Sequence, residues 1–300
     1  MLSHDFPPGC TLVEAAPAKV NLALAVTGRR ADGYHLLDSL VTFTAFGDRI
    51  GFSPAAEDSL TLSGRFAGGL AGDGNLVLAA RDRLRAALGE AAPPVHIHLE
   101  KNLPVAAGIG GGSADAAATL RGLLAFWRAG LPRETLDALA IGLGADVPMC
   151  LESRPLVARG VGEEIVRLTM PALPMVLANP LVGVSTPAVF AALAEKRNPP
   201  LDLPEDTANA DWPALIARLR NDLEPPARGL CGAIGAVSDS LAASGATLVR
   251  MSGSGATCFG LHAAQDAAEA AAEELARRHP DWFIVATTTL CEDDGHGRDR

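Results

Sequence analysis

The chain has 300 residues, of which 48% are hydrophobic and 4% aromatic, and its formal net charge is −10. This length suits one large domain or two of ordinary size, with a core made mostly of alanine, leucine and valine. The negative charge argues against non-specific binding of nucleic acid, but it is compatible with a local positive pocket. The five cysteines form no C-x-x-C pair, which is typical of a reduced protein without a disulfide framework or a zinc site.

The sequence predicts neither a secretion signal nor a membrane segment. Residues 1–10 lack a basic region followed by an apolar run, so we expect no signal peptide. The longest uncharged stretch, 170–194, has the length of a bilayer span, but its prolines predict a strand, a loop and a short helix instead. We therefore expect a cytoplasmic protein that binds no membrane. We also expect a monomer or a homodimer.

In the first half of the chain, hydrophobic periodicity predicts strands interspersed with helices. Alternating apolar residues predict strands at 11–27 and 36–46, two further strands between 48 and 63, and a strand at 95–99. Amphipathic or alanine-rich runs predict helices at 75–88, 113–129 and 133–143, and a tight connection at 143–148 follows them.

In the second half, the pattern starts again after a hairpin predicted around 160–164. The expected strands lie at 175–178, 246–251, 256–260 and 283–290, and the expected helices at 187–195, 212–219, 226–243 and 265–278. The Gly-x-Gly segment at 253–255 implies a close backbone approach, either to a ligand or to another loop. We place a domain boundary near residue 165, which predicts domains at 1–165 and 166–300.

A glycine-rich loop at 103–115 joins the predicted strand at 95–99 to the predicted helix at 113–129. Glycine allows close backbone approach, and a helix N-terminus adds N–H groups and a positive dipole end, so an anion such as phosphate is the expected occupant. No lysine follows the glycines, which excludes a Walker A loop, and serine at position 113 excludes a dinucleotide fingerprint. If this loop holds a nucleotide, the cation comes from elsewhere in the chain. A flexible surface loop is the alternative.

A lysine and an amide side chain share one side of the first predicted strand. The chain contains three lysines, and the first of them, Lys19, lies two residues before Asn21. Side chains two residues apart on a strand point the same way, so this strand presents an ammonium and an amide side by side. An ordinary solvent-facing side of a strand also explains the pattern.

Tyr34, the chain's one tyrosine, and His35 follow an Asp-Gly turn. An aromatic ring beside an imidazole suits a flat heterocycle that is stacked upon and hydrogen-bonded at its edge. A turn with a half-buried ring is the alternative. Asp146, before Val-Pro, is by default a turn or cap aspartate.

Together these segments resemble the GHMP kinase superfamily. Pro17–Leu22 resembles its first motif, residues 103–114 its nucleotide loop, and Gly253–Ala256 its third motif. Three further segments are similar to the branch that acts on a cytidine diphosphate-linked methylerythritol: residues 30–35, 143–148 and 221–224. The likeness spans about residues 14 to 290.

The resemblance implies an α+β fold of two GHMP kinase domains, the first binding ATP, with the active site in the interdomain cleft. It implies transfer of the ATP γ-phosphoryl group, with Mg²⁺, to the 2-hydroxyl of 4-diphosphocytidyl-2-C-methyl-D-erythritol, a step of non-mevalonate isoprenoid precursor synthesis. Asp146 would act as base and Lys19 would neutralise the reacting groups. Contacts to the substrate are implied for Asn21, Tyr34, His35, Val161 and Phe190. Contacts to the nucleotide are implied for Pro104, Val105, Ala106, Ala107, Gly108, Ile109, Gly110, Gly111, Gly112, Ser113 and Ala114.

Two alternatives are also compatible with the sequence. One is another GHMP small-molecule kinase of the sugar, homoserine or mevalonate type, and the other is a catalytically silent ligand-binding homologue. One departure from the family pattern is visible, because Ser113 is followed by Ala114 where a second serine is common. The metal ligands are not predicted.

Overall fold

The computed structural model describes residue 6 and the ranges 9–70, 75–204, 207 and 210–291. The chain forms two compact units. The first unit comprises the described residues of Met1–Ala18, Gly47–Val105 and Gly110–Glu152, and the second unit those of Lys19–Phe46, Ala106–Ile109 and Ser153–Arg300. The division into 1–165 and 166–300 stays a prediction. No helix in the described part of the chain is long and apolar enough to cross a bilayer.

Two long strands, β1 (Leu12–Arg29) and β2 (His35–Pro54), contribute residues to both units. The first unit adds β3 (Ser59–Ser63), α1 (Leu76–Leu88), β4 (Val95–Glu100), α2 (Gly111–Phe126), α3 (Arg133–Leu143) and α4 (Val147–Glu152). Strand β4 pairs antiparallel with 49–54 of β2 and parallel with β3. Helix α2 packs against α1 and α4, so the glycine loop ends in a helix fixed on two sides.

The second unit contains a four-stranded antiparallel sheet in the order β10-β7-β9-β8. The strands and helices that the second unit adds to β1 and β2 are β5 (Leu156–Gly160), β6 (Glu164–Arg167), β7 (Pro174–Asn179), α5 (Thr186–Ala192), α6 (Trp212–Arg218), α7 (Glu224–Leu230), α8 (Ala233–Ala243), β8 (Leu248–Met251), β9 (Cys258–Leu261), α9 (Gln265–Arg278) and β10 (Phe283–Thr288). Residues 37–41 of β2 pair with β5, which forms the predicted hairpin with β6.

The core of the second unit is aliphatic and rich in small side chains. Helix α9 illustrates the pattern, because its buried residues recur at spacings of three and four: Ala268, Ala271, Ala272 and Leu275. They form the apolar stripe that a surface helix turns towards a sheet. Helix α8 packs on the same sheet through Ile234, Val237 and Leu241.

The structure corrects four details of the predicted elements. Residues 48–54 continue β2, so they are not a separate strand. Helix α4 was not predicted. Proline at its second position, Pro148, is compatible with a first turn because the missing N–H has no partner there. The single helix expected at 226–243 is two helices, because Cys231 adopts an extended backbone with φ −140°. Helix α2 begins at Gly111 and ends at Phe126, not at 113 and 129.

Candidate active site

The second unit holds the part of the glycine loop from Ala106 to Ile109 through three successive carbonyl groups. The Thr257 N–H and hydroxyl donate to Ala107 O at 3.1 and 2.6 Å. The Ser252 hydroxyl donates to Gly108 O at 3.0 Å, and the Lys19 N–H donates to Ile109 O at 3.0 Å. Each bond uses a carbonyl, so none of them takes an N–H group from the loop.

The close approach predicted for the Gly-x-Gly segment is confirmed, and its partner in the second unit is this loop. Gly108 has φ +77°, and a Cβ there would lie 2.6 Å from Gly255 O. A side chain at this position would therefore be strained and would also collide with backbone. Asn221, from the third similar segment, donates to the carbonyls of Met251 and Gly253, both at 2.8 Å. It fixes the segment that contacts the loop.

In the first unit, the loop passes into helix α2 through a left-handed residue. Gly110 caps the helix with φ 64°, and its carbonyl accepts the Ala114 N–H at 2.8 Å. The first turn contains no acidic residue, and Gly112 is exposed. The first N–H groups of a helix have no intrahelical acceptor, and the dipole is positive at this end. This turn has the chemistry of an anion site. Before it, Pro104 is buried, whereas Val105 is 52% exposed.

Lys19 and Asn21 are in contact on β1, as the strand alternation predicts. The Lys19 ammonium donates to Asn21 Oδ1 at 3.0 Å. Asn21 Nδ2 donates to the Ser39 hydroxyl at 2.7 Å, and that hydroxyl donates to Ala23 O at 2.8 Å. Because the Ser39 hydrogen is used on Ala23, its oxygen must accept from Asn21, which turns the amide oxygen towards Lys19.

The alternative of a solvent-facing side for this strand is wrong. Lys19 is 4% exposed and Asn21 is 3% exposed, although both are polar. Burying an ammonium costs free energy unless the group is hydrogen-bonded, so the bond to Asn21 is needed to hold Lys19 in this buried position. The Asn21 N–H also donates to the Ser252 hydroxyl at 3.0 Å. Ser252 therefore connects the first motif to the glycine loop within the second unit.

Four of the residues implied to contact the substrate lie in the second unit: the rings of Tyr34, His35 and Phe190 and the aliphatic Val161. We call these four residues the aromatic group. The His35 imidazole stacks on Phe190, with ring centroids 4.5 Å apart and an interplanar angle of 19°. Tyr34 is 61% exposed, which excludes a half-buried ring. Val161 follows Gly160, which pairs with Leu37, so it lies at the end of the β2–β5 ladder nearest to His35.

The His35 ring has an unused hydrogen-bonding atom. Nε2 is buried and has no hydrogen-bond partner among the residues that the structure describes. Burial lowers the pKa of His35 below its usual 6.5, and the positive charges of Arg29 and Lys196 lower it further. The ring is therefore neutral at pH 7, with one nitrogen able to donate and the other able to accept.

Asp146 lies in the first unit at the start of helix α4. Its carbonyl accepts the Cys150 N–H at 3.1 Å, which is the first hydrogen bond of that helix. The residue is partly exposed. A carboxylate beside the first turn of a helix interacts favourably with the dipole, and the default prediction of a residue at a turn or cap is compatible with this position.

Three side chains that hold this arrangement were not predicted as site residues: Ser39, Ser252 and Thr257. Ser252 precedes the third motif directly, so the glycines next to it were the available signal. Thr257 follows the same motif directly and had the same signal, whereas Ser39 gives none, because serine is an ordinary strand residue. No group of three or more histidine, cysteine or acidic side chains able to hold a metal occurs within the described ranges.

The chain matches two models of known protein families. The model described as GHMP kinases N terminal domain matches residues 75–154, and the model described as GHMP kinases C terminal matches residues 205–281. The first match includes the glycine loop and Asp146. The second includes the Gly-x-Gly segment that contacts the loop.

Individual relatives extend the match to nearly the full chain. A 4-diphosphocytidyl-2-C-methyl-D-erythritol kinase from Rhizobium johnstonii is 62% identical, over 96% of this chain and 96% of its own. The protein of the same name from Agrobacterium fabrum is 58% identical, over 97% and 100%.

Solved structures agree with this result. The crystal structure of a 4-(cytidine 5'-diphospho)-2C-methyl-D-erythritol kinase has a TM-score of 0.79 and 38% identity, over 93% of this chain and 99% of the other. A homoserine kinase from Cytophaga hutchinsonii has a TM-score of 0.67 at 20% identity, over 97% and 98%, and so shares the fold. The chain thus belongs to the GHMP kinase superfamily and, within it, to the 4-diphosphocytidyl-2-C-methyl-D-erythritol kinase family.

Proposed function

We propose that this enzyme transfers the γ-phosphoryl group of ATP to the 2-hydroxyl of 4-diphosphocytidyl-2-C-methyl-D-erythritol, in the non-mevalonate route to isoprenoid precursors. The observation that carries the proposal is the 62% identity to a kinase of that name over 96% of both chains. The intact loop, Lys19 and Asp146 argue against a silent homologue. GHMP kinases use ATP as phosphoryl donor, and the anion-binding chemistry at the start of α2 is suited to its phosphates.

The nucleotide binds along the glycine loop from Pro104 to Ala114, with its phosphates on N–H groups between Val105 and Ser113. Because the loop is held through its carbonyls in the second unit, those N–H groups can face a ligand without breaking the bonds that position the loop. Phosphoryl transfer depends mainly on positioning and charge stabilisation. A preformed loop meets the first of these needs.

Lys19 supplies positive charge for the transferring phosphoryl group, in place of a Walker lysine. Asn21 holds the ammonium at a defined position, because its own amide is fixed by Ser39. Asp146 accepts a hydrogen bond from the 2-hydroxyl of the substrate and takes its proton. Since the transition state is loose, the carboxylate orients the hydroxyl first and removes the proton late.

The aromatic group binds the cytosine. Tyr34 offers an exposed ring for stacking, and His35 is fixed against Phe190. The buried Nε2 of His35 gains a partner from the polar edge of the base, which removes the cost of an unpaired buried atom. Val161 adds an apolar contact beside the ring.

Mg²⁺ enters with ATP in this proposal. In kinases the ion is bound chiefly by phosphate oxygens and water, with only one or two protein carboxylates, so a three-residue protein cluster is not required. Bound Mg²⁺ neutralises phosphate charge. We further propose a cytoplasmic enzyme that acts on a small molecule, as a monomer or a homodimer.

A substrate panel tests the specificity. We expect ATP-dependent phosphorylation of the cytidine diphosphate-linked methylerythritol and at least about a thousandfold lower kcat/KM for mevalonate, homoserine and galactose, because they lack the base that the aromatic group binds. Equal turnover of one of these alcohols would favour another GHMP kinase activity instead.

Replacing the proposed base tests the catalytic role. Asp146→Asn keeps the shape but cannot accept the proton, so we expect kcat to fall at least about a thousandfold. The KM values of both substrates should stay close to those of the unmodified enzyme. Stopped assays with both substrates at saturation measure the effect, and a kcat within about threefold of normal would contradict the role.

A further inference from the structure

A buried lysine with two carboxyl groups supports the glycine loop from within the first unit. The Lys101 ammonium, 2% exposed, donates to Asp48 Oδ2 at 2.5 Å and to Asp115 Oδ2 at 2.6 Å. Lys101 follows β4, Asp48 is part of β2, and Asp115 is in the second turn of α2. We call these three residues the Lys101 cluster. They tie together the strand before the loop and the helix after it.

Asp48 also fixes the backbone that enters the loop. Its Oδ1 accepts the N–H groups of Asn102 and Leu103 at 2.6 and 2.8 Å. With the bond from Lys101, this carboxyl group accepts three hydrogen bonds. Three donors match a carboxylate, which can only accept hydrogen bonds.

Glycine at position 111 lets the ammonium lie beneath the first turn of α2. A Cβ at Gly111 would lie 3.1 Å from Lys101 Nζ, which is tighter than nine in ten real contacts of this kind, so the ammonium would have to shift. The cluster therefore lies directly beside the turn whose N–H groups form the expected phosphate site. Its net charge matters there, because water is excluded and charges are screened weakly.

The two carboxyl groups are not equivalent. Asp115 Oδ1 is buried and has no hydrogen-bond partner among the residues that the structure describes. Burial raises the pKa of Asp115 well above its usual 3.8, and the negative charge of Asp48 raises it further, against the opposite effect of Lys101. Both Oδ2 atoms bond to the same ammonium, so the two carboxyl groups lie close together, and two negative charges there would repel each other.

We propose that the Lys101 cluster is electrically neutral, with Asp48 ionised, Lys101 protonated and one proton retained on Asp115, and that it positions the glycine loop for nucleotide phosphates. This inference rests on the proposed nucleotide-binding function of the loop. A second buried negative charge would give the cluster a net charge of −1 and repel the polyanion. The three residues are positioning residues, since they act through the backbone and the local field.

The kinetic test compares variants that change the charge of the cluster. Lys101→Met leaves the negative charge of Asp48 without a positive partner. We expect KM for ATP to rise at least about tenfold, because two unit negative charges about 10 Å apart, at an effective dielectric constant of about 20, repel each other enough to weaken binding by about that factor. KM for the cytidylated alcohol should change less than about twofold. The double variant D48N/K101M restores neutrality and keeps an acceptor for Asn102 and Leu103, so KM for ATP should return to within about threefold of normal.

Asp115→Asn is the conservative variant of the cluster, because an amide imitates a protonated carboxyl group. We expect its KM for ATP at pH 7 to match the unmodified enzyme within about threefold. If D115N is as impaired as K101M, or if D48N/K101M is more impaired than K101M, the neutral cluster is wrong. If the unmodified enzyme has no kinase activity at all, the proposed function is wrong instead.

Two measurements made without ATP, equilibrium unfolding and infrared spectroscopy, test whether Asp115 carries a proton. The raised pKa means that the folded state binds one more proton than the unfolded state at pH values above 3.8 and below the folded pKa. Stability contributed by this group is therefore lost as pH rises through that window, and D115N should lack this slope. An infrared band of a protonated carboxyl group at pH 7, absent in D115N, is the expected signature. Identical slopes and no such band would overturn the proposal, even if K101M does not fold.

Discussion

The two parts of the glycine loop are held by different chemistry. In the second unit, neutral hydroxyl and amide donors from Ser252, Thr257 and Lys19 bind the carbonyls of residues 107–109. In the first unit, the backbone before the loop and the helix after it are joined by the ionisable side chains of the Lys101 cluster. The neutral bonds fix where the loop lies, whereas the cluster also sets the local charge beside the first turn of α2.

This difference determines how each part tolerates change. A neutral hydrogen bond contributes about 0.5–1.5 kcal/mol, and several such bonds can be lost one at a time. A buried ion pair behaves otherwise, because removing one partner leaves an uncompensated charge. The same loop should therefore respond gradually to substitutions in the second unit and abruptly to those in the first.

The largest effect is expected from removing the cation of the cluster. Lys101→Met should lower the free energy of unfolding by about 3–5 kcal/mol, because Asp48 keeps a buried negative charge without its partner. Chemical denaturation at pH 7 measures the change, with the conservative variant D115N as control. A loss below about 1 kcal/mol would show that the cluster is no more sensitive than a single neutral bond.

A smaller effect is expected from the hydroxyl that links the first motif to the loop. Ser252→Ala leaves the Asn21 N–H and Gly108 O without their shared partner, so the free energy of unfolding should fall by about 1–3 kcal/mol. KM for ATP should rise by several-fold, since Gly108 loses its bond. Ser252→Thr, which keeps the hydroxyl, is the matched control, and the comparison fails if both variants behave alike in denaturation and in ATP titrations.

The smallest effect concerns an ion pair outside the loop. Asp58 pairs with Arg85, and this hydrogen bond is the main cause that lowers the pKa of Asp58 to about 2 from 3.8. Asp58→Asn should cost about 0.2–1 kcal/mol at pH 7, less than the roughly 2 kcal/mol to which the full pKa shift corresponds, because solvent screens both partly exposed side chains. A depressed pKa contributes stability above 3.8 that is lost as pH falls towards 2, so the difference should vanish there. An altered KM for ATP would show that the sensitivity is not specific to the Lys101 cluster.

The local pattern of the sequence predicts the elements that position the loop. Alternation along β1 predicts the contact of Lys19 with Asn21, and the glycine run predicts a helix N-terminus with anion-binding chemistry. These features depend on residues that are close in sequence. Motif order and the resemblance to GHMP kinases supplied the family, which near-full-length relatives confirm.

The supporting contacts could not be predicted, because they join residues that are far apart in the chain. Lys101 and Asp48 are 53 positions apart, and Asn21 and Ser252 are 231 positions apart. Neither pair belongs to a short motif. Burial was also hidden, since an alternating strand has the same pattern whether its polar side faces solvent or another layer. The strand β1 is covered on both sides, which alternation alone does not indicate.

Phosphorus NMR of the reaction product tests the central claim most directly. The acceptor carbon in 4-diphosphocytidyl-2-C-methyl-D-erythritol bears a methyl group and no hydrogen, so a phosphate on the 2-hydroxyl has no hydrogen three bonds away. After incubation with ATP and Mg²⁺, we predict one new phosphomonoester resonance that is a singlet in the proton-coupled spectrum. A doublet or triplet, which marks a phosphate on the 3- or 1-hydroxyl, or no new resonance at all, would contradict the account.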